Sequence, residues 1–343
     1  MCAWAPEPPS ALRISSSDYA ERPARTFVTD TVTAQHCEPH MSAPLSRNRV
    51  ALITYSGVPA ITTDDRLLRD ALVARGVEVD ARPWDARADW GSYHRIVLRS
   101  CWNFHHHPAE FLLWINEVKE SHDGSLRNSP ALVRWSVDKR YLRDLDAGGI
   151  AIVPTIWVSA VEGEAAPDLD ALIAAQGWRD GAVVKPAISA TAHQTWLVAP
   201  QRASEHQARF ASLLASSPGG VMVQPFLPEI REGEWSLIFL GGEFSHAVVK
   251  RPADGDFRVQ HDFGGTVERR HPEPSLIEDA RAVLHAAAMT TDTQVEDILY
   301  ARVDGVLRDG KLLLMELEVI EPALFFSHAP SAAARMAELI VST

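Results

Sequence analysis

YARVDGVLRDGKLLLMELEVIEP, residues 300–322, is the stretch on which the fold turns. Ala301 and Val303 alternate with Arg302 and Asp304, and Leu313, Met315 and Leu317 alternate with Leu314, Glu316 and Glu318. That period of two predicts a pair of strands, with Asp309-Gly310 as the turn between them. A regular two-residue turn would oppose Asp304 to Met315 and mix polar with apolar side chains on both faces. A three-residue loop over 308–310, with Gly310 left-handed and Leu307 opposite Lys311, segregates them. One face then carries Ala301, Val303, Leu307, Leu313, Met315, Leu317 and Val319. Arg302, Asp304, Glu316 and Glu318 share the other, with Val306, Leu312 and Leu314 nearer the turn.

Three acids on one face repel one another unless a cation joins them. Oxygen donors with no nearby histidine or cysteine point to magnesium or manganese, and magnesium usually arrives with phosphates. The competing reading is a solvated outer face on which Arg302 pairs with Glu316.

The rest of the chain bounds the possibilities. Its 343 residues suffice for two or three packed lobes. A formal charge of −12 argues against nucleic acid or an anionic membrane as the main partner, and no apolar run approaches a membrane span. Cys2, Cys37 and Cys101 form no CxxC or disulfide framework, so a reducing, cytoplasmic setting is expected. Residues 1–47 lack periodic apolar positions and are read as a disordered extension, or as sequence upstream of a true start at Met41.

Strands are expected over 50–55, 77–84 and 95–99, with helices from Asp64 or Asp65 to Arg75 and from Pro108. These make a small α/β lobe over 48–127. Its strand ends would present Arg99, Trp102 and Asn103 to a ligand, as open α/β sheets usually do. From 128 the pattern becomes α+β. A helix is expected over 137–147, and strands over 181–185, 195–198, 221–226, 235–240 and 243–250, with Gly241-Gly242 as a hairpin turn. Helices follow over 277–289 and 331–340.

Several residues in this part suggest chemistry. Lys139 falls one turn into the 137–147 helix, which Ser136 can cap, where a bound anion would offset the helix dipole. Lys185 ends the apolar strand GAVVKP, and a lysine there needs a partner. The small residues that follow would let backbone N–H groups and Ser189 approach a phosphate. Gln224 and Phe226 close another strand, with Glu234 downstream. Arg251 and Arg258 flank a loop leading to Gly264-Gly265 and suggest an oxyanion clamp. The run His105-His106-His107 is set aside as a metal site, because consecutive residues do not share a face.

In this order the features resemble the ATP-grasp superfamily over residues 128–327, and 50–127 resembles its pre-ATP-grasp domain. The stretch GDFRVQ…GG and the spacing of the three acids are similar to the glutathione synthetase and ribosomal S6 modification branch. RSCWN (99–103), KRYLRDL (139–145), VVKPAISA (183–190) and YARVDGV (300–306) are more similar still to D-cycloserine-synthetase-like proteins.

The resemblance implies an ATP-grasp fold, α/β plus α+β, with two α+β subdomains around ATP and the smaller lobe over about 150–226. It implies that Lys139 and Lys185 hold the phosphates, beside the loop that carries Ser189. Gln224 and Phe226 would form the adenine hinge and Glu234 would bind the ribose. Arg251 and Arg258 would act at the γ-phosphate and acyl-phosphate. Asp304, Glu316 and Glu318 would bind Mg2+ or Mn2+. Two departures stand out: Glu318 occupies a position where many relatives carry Asn, and the phosphate loop lacks glycine. The implied activity is ATP-dependent joining of a carboxylate and an amine on an amino-acid-like small molecule or peptide, through an acyl-phosphate, by a chain that a homo-oligomer would suit. The alternatives are intramolecular cyclisation and non-catalytic ATP binding.

Overall fold

A computed structural model describes residues 48–253, 256–259 and 264–342. Residues 1–47, and Gly255 and Gln260 of the arginine loop, lie outside that set. The described chain is built on three sheets. In the first, β1 (Arg49–Thr54), β2 (Glu78–Pro83), β3 (Arg95–Leu98) and β4 (Leu126–Arg127) run parallel in the order β2-β1-β3-β4. Helices α1 (Asp65–Val73) and α2 (Pro108–Ser121) make the crossovers that parallel pairing requires. Behind β3, Trp84, Trp90, Phe104, Phe111 and Trp114 form a continuous aromatic core.

Two short helices, α3 (Pro130–Ser136) and α4 (Tyr141–Ala147), come next. The helix expected over 137–147 therefore begins only at Tyr141, and Lys139 lies in the break between α3 and α4 rather than in a helical turn. Its backbone N–H donates to Ala187 O at 2.9 Å, while the Ser136 hydroxyl turns back to Val133 O instead of capping α4. Tertiary pairing of residue 139 with the following sheet outweighs local helix propensity here.

That second sheet is antiparallel in the order β5-β8-β6-β7. It comprises β5 (Ile156–Val158), β6 (Ala182–Pro186), β7 (Trp196–Val198) and β8 (Val221–Pro225), covered by α5 (Leu169–Ala175) and α6 (Gln207–Ser216). The third sheet contains β9 (Glu234–Leu240), β10 (Glu243–Arg251), β11 (Thr266–Arg270), β12 (Tyr300–Arg308) and β13 (Lys311–Glu318) in the antiparallel order β11-β10-β9-β12-β13. Helix α7 (Pro274–Thr290) packs on its apolar face through Leu276, Ala280, Val283 and Leu284. Helix α8 (Pro330–Ser342) fills the space between this sheet and the first, with Met336 and Ile340 in one core with Leu52, Leu68, Leu72 and Ile238.

The β12–β13 hairpin departs from the expected register in an instructive way. Its loop has two residues, Asp309 and Gly310, both left-handed (φ 51° and 75°), and Arg308 pairs with Lys311. Both φ signs are those of a type I′ hairpin, for which Asp-Gly is well suited. Unbroken, that register would mix the faces, but a β-bulge corrects it. Gly305 pairs with Leu314 and Asp304 with Glu316, so Met315 is the extra residue. Beyond the bulge Val303 opposes Leu317 and Arg302 opposes Glu318. Near the turn β12 keeps the expected faces, with Leu307 on the core side and Val306 opposite. Strand β13 is reversed there: Leu312 and Leu314 join the core against α7, and Leu313 and Met315 turn to the opposite side. Gly305 is the residue that permits the bulge, because a Cβ there would stand 2.5 Å from Leu313 O.

Candidate active site

The polar face of the third sheet meets a face of the second, lined by its central strands β6 and β8, across a cavity of about 400 Å³. Asp304, Glu316 and Glu318 all line it. The expectation of one shared acidic face therefore holds, although its register arises differently. Each acid already has a cationic partner. Arg302 Nε lies 3.0 Å from both Asp304 oxygens and its Nη2 lies 2.8 Å from Oδ2. The same Nη2 pairs with Glu318, and the Ser236 hydroxyl donates to Asp304. Glu316 Oε1 lies 2.9 Å from Lys139 Nζ. The rival pairing of Arg302 with Glu316 is thus replaced by pairing with Asp304 and Glu318.

The two lysines converge on these acids. Lys139 Nζ also donates to Ser189 O at 2.6 Å, so one ammonium joins the loop after β6 to β13. Lys185 lines the cavity beside it. Burial, and then repulsion from Lys139 against the pull of Glu316 and Glu234, holds its ammonium below the usual lysine range. Among the described residues Lys185 makes no ion pair, so a bound anion would be its natural partner.

Charge balance at the acids can be traced residue by residue. Burial would raise Asp304, but Arg302 and Lys250 outweigh it and hold the carboxyl well below its ordinary value. Glu316 is held down in the same way by Lys139 and Lys185 against burial. Glu318 moves the other way, to about 7, because burial and the neighbouring Glu316 and Asp304 prevail over Arg302. Glu321, also lining the cavity, is pushed up to about 8 by burial and by Glu318. Carboxylates forced toward neutrality beside others held ionised form an oxygen-donor set that a divalent cation would suit, so the residues fit such an ion.

The other expected positions divide. Gln224, Phe226, Glu234, Ser189 and Arg258 all line the cavity. Gln224 Nε2 donates to Thr155 Oγ1 at 2.8 Å, and the Phe226 N–H is held by Gly181 O. Arg258 pairs with Asp256 at 2.8 Å. Glu234 pairs with Lys250 at 2.5 Å. Trp102 lines the cavity, its indole N–H directed to Glu321 O at 3.4 Å.

Three expectations are corrected. Arg251 lies on the opposite face of β10 from Lys250, half-exposed and paired with Glu268, because successive strand residues point to opposite sides. Arg99 is buried away from the cavity, with Nε 2.8 Å from Asp65 and Nη2 donating to Pro322 O. It joins α1 to the segment after β13. Asn103 is used by Trp84 Nε1 and Asp85, and does not line the cavity.

Lys250, Arg302 and Glu321 were overlooked as site residues. Lys250 Nζ touches Glu234 and lies 3.4 Å from Asp304. A signal for it was present, since the sequence AVVK that ends at Lys185 recurs ending at Lys250. The reasoning about a lysine closing a buried strand applies to both.

Comparison with known proteins gives the family. Residues 50–128 match the family model of the D-cycloserine synthetase DcsG N-terminal domain, and residues 168–290 that of the prokaryotic glutathione synthetase ATP-grasp domain. The chain is 32% identical over 305 residues to the cycloserine biosynthesis protein DcsG of Streptomyces lavendulae, covering 85% of this chain and 97% of that protein. The crystal structure of D-cycloserine synthetase DcsG superposes with a TM-score of 0.75 at 29% identity, covering 86% of this chain and 99% of that one. D-alanine--D-alanine ligase from Bacillus anthracis complexed with ATP shares the fold, with a TM-score of 0.60 at 15% identity over 86% of this chain and 97% of that one.

Proposed function

Because the chain belongs to the ATP-grasp superfamily of carbon–nitrogen ligases, we propose that it activates an amino-acid-like carboxylate as an acyl-phosphate and passes it to an amine. The observation that carries this reading is the convergence of Lys139, Lys185, Lys250 and Arg302 with three carboxylates on one cavity. Phosphoryl transfer of this kind rests on positioning and charge neutralisation rather than on a protein nucleophile.

In the first step a substrate carboxylate oxygen attacks the γ-phosphorus of ATP, and the bond from that phosphorus to the β,γ-bridging oxygen breaks, releasing ADP. The amine nitrogen then attacks the acyl carbon, phosphate departs, and the nitrogen loses a proton. Lys139 and Lys185 would bind the β- and γ-phosphates. Gln224 and Phe226 would border the adenine and Glu234 the ribose. Arg302 and Lys250 would neutralise charge on the transferred group, and Arg258 would contact it from the cavity wall. Asp304, Glu316 and Glu318 would hold Mg2+, which supplies charge neutralisation of the triphosphate when bound.

A second reading has its own support. The match across both the DcsG N-terminal family and nearly the whole length of DcsG favours a single small molecule carrying both carboxylate and amine, closed into a ring. ADP release measured with candidate amino acids and their derivatives tests the class. Product mass separates loss of water within one molecule from joining of two. No substrate-dependent ADP release across amino acids, their hydroxylamine-like derivatives and dipeptides would refute the ligase reading.

A further inference from the structure

Three histidines unused by the chemistry above meet beside the cavity mouth. His105 and His106 lie in the one-turn 3₁₀ helix Phe104–His106, and His193 lies in the loop between β6 and β7. Ring nitrogens of the three all come within 4.8 Å of one another. The ring centroids are 3.9 Å apart for His105 and His106, 5.1 Å for His105 and His193, and 4.8 Å for His106 and His193. Consecutive residues do not share a face on a helix or strand, yet the third ring comes from a loop and closes the group around them. His107 takes no part, pointing to Glu110.

The decisive detail is the tautomer of His105. Its Nδ1 lies 2.7 Å from Trp102 O, and a carbonyl only accepts, so Nδ1 carries the proton. Nε2 is left as a lone pair, and it is buried with no hydrogen-bond partner. A buried acceptor without a donor is costly. A histidine oriented through one nitrogen by a backbone carbonyl, with the other nitrogen free, is the usual arrangement of a metal ligand. Burial and the neighbouring imidazole also lower His105 to about 4, and His193 is lowered by the same two causes, so both rings are neutral near pH 7.

We propose that His105, His106 and His193 form a three-imidazole site for a borderline divalent cation such as Zn2+, Co2+ or Ni2+, tying loop 187–195 to the turn at 104–106. Three protein nitrogens leave one position open in a tetrahedral site. Bonds of about 2.0–2.1 Å place nitrogens roughly 3.4 Å apart, so small ring rotations complete it. The loop so tied contributes Ser189 to the cavity wall, and the turn contributes Phe104, with Trp102 just before it. The site is chemically distinct from the carboxylates, which prefer a hard ion.

Co2+ titration in the presence of excess Mg2+ reads the imidazole site while the oxygen donors are occupied. We expect one equivalent to bind with visible d–d absorption. His106→Ala, at an exposed position, and His193→Ala should each weaken binding at least ~100-fold, while His107→Ala leaves it unchanged. Equal binding by the wild type and a His106→Ala/His193→Ala variant, or no stoichiometric binding by the wild type, would overturn the site. Zn2+ should also slow amide hydrogen exchange across 187–195 in the wild type and not in His193→Ala. Unchanged exchange in the Zn2+-loaded wild type would overturn the tie.

Discussion

The ammonium of Lys250 lies 3.4 Å from the Asp304 carboxylate, reaching across the intervening strand β9. The neighbouring Arg251 projects to the opposite face and pairs with Glu268. Lys250→Met should therefore lower ligase turnover at least ~10²-fold, the scale of losing one preorganised charge at a transferring group. Arg251→Ala should stay close to wild type. Steady-state ADP release on the two purified variants checks this, and the reverse ranking would reassign the catalytic cation.

Asp304→Asn and Glu316→Gln should each abolish metal-dependent ATP turnover by ~10² or more while preserving the far-ultraviolet circular dichroism spectrum. Raising Mg2+ should recover part of the loss in Glu316→Gln, because two acids of the set persist. Metal-titration curves at saturating ATP provide the measurement.

Arg99 gives a contrasting result. Its guanidinium is engaged by Asp65, Pro322 O and the face of Tyr300. Arg99→Met leaves the Asp65 carboxylate buried without its partner, and should cost about 3–5 kcal/mol of stability. Substrate KM in the folded fraction should change little. Urea melts paired with kinetics separate this joining role from substrate contact.

Gly305→Ala should destabilise the protein by about 1–3 kcal/mol, the usual scale of overpacking a fixed backbone. The added methyl would meet Leu313 O at 2.5 Å, and relieving that contact displaces the bulge that sets Asp304 opposite Glu316. Activity should fall further than stability alone accounts for. Thermal melts and kcat on the same preparation test both halves.

Stability should also fall with rising pH in the metal-free protein. An unfolded glutamate titrates near 4.5, whereas Glu318 and Glu321 titrate near 7 and 8 when folded. Across that interval the folded state binds more protons than the unfolded state, so each unit of pH removes stability until about pH 8. His105 contributes with the opposite sign, but its contribution is complete above the ordinary histidine value of 6.5. The decline should thus be seen most cleanly between about pH 6.5 and 8, and Glu321→Gln should flatten it. Melting temperature against pH without divalent ions is the readout, and a Tm that rises through this window contradicts the assignment.

Much of this architecture was legible because its strands obey simple alternation. The hairpin turn Gly241-Gly242, the strands through Lys185 and Gln224, and the helix over 277–289 follow from pattern and turn chemistry alone. The break at Lys139 did not, since a backbone bond to Ala187, 48 positions later in the chain, decides it. Nor did the bulge at Met315, because alternation assumes one residue per rung. Arg251 suggests an oxyanion clamp by chemical type, whereas the parity of β10 turns Lys250 toward the acids. Arg99 and Asn103 follow the end of β3 as expected, yet side-chain partners in distant segments turn them away from the cavity.

Lys139 has a consequence for how nucleotide enters. Its ammonium already satisfies a carbonyl of one sheet's loop and a carboxylate of another. A triphosphate that engages Lys139 would therefore compete with Glu316, while giving a counter-ion to Lys185, which has no ion pair among the described residues. The displaced carboxylate stays in the cleft, so the triphosphate adds negative charge beside it, and nucleotide affinity should depend steeply on a divalent cation to offset that charge.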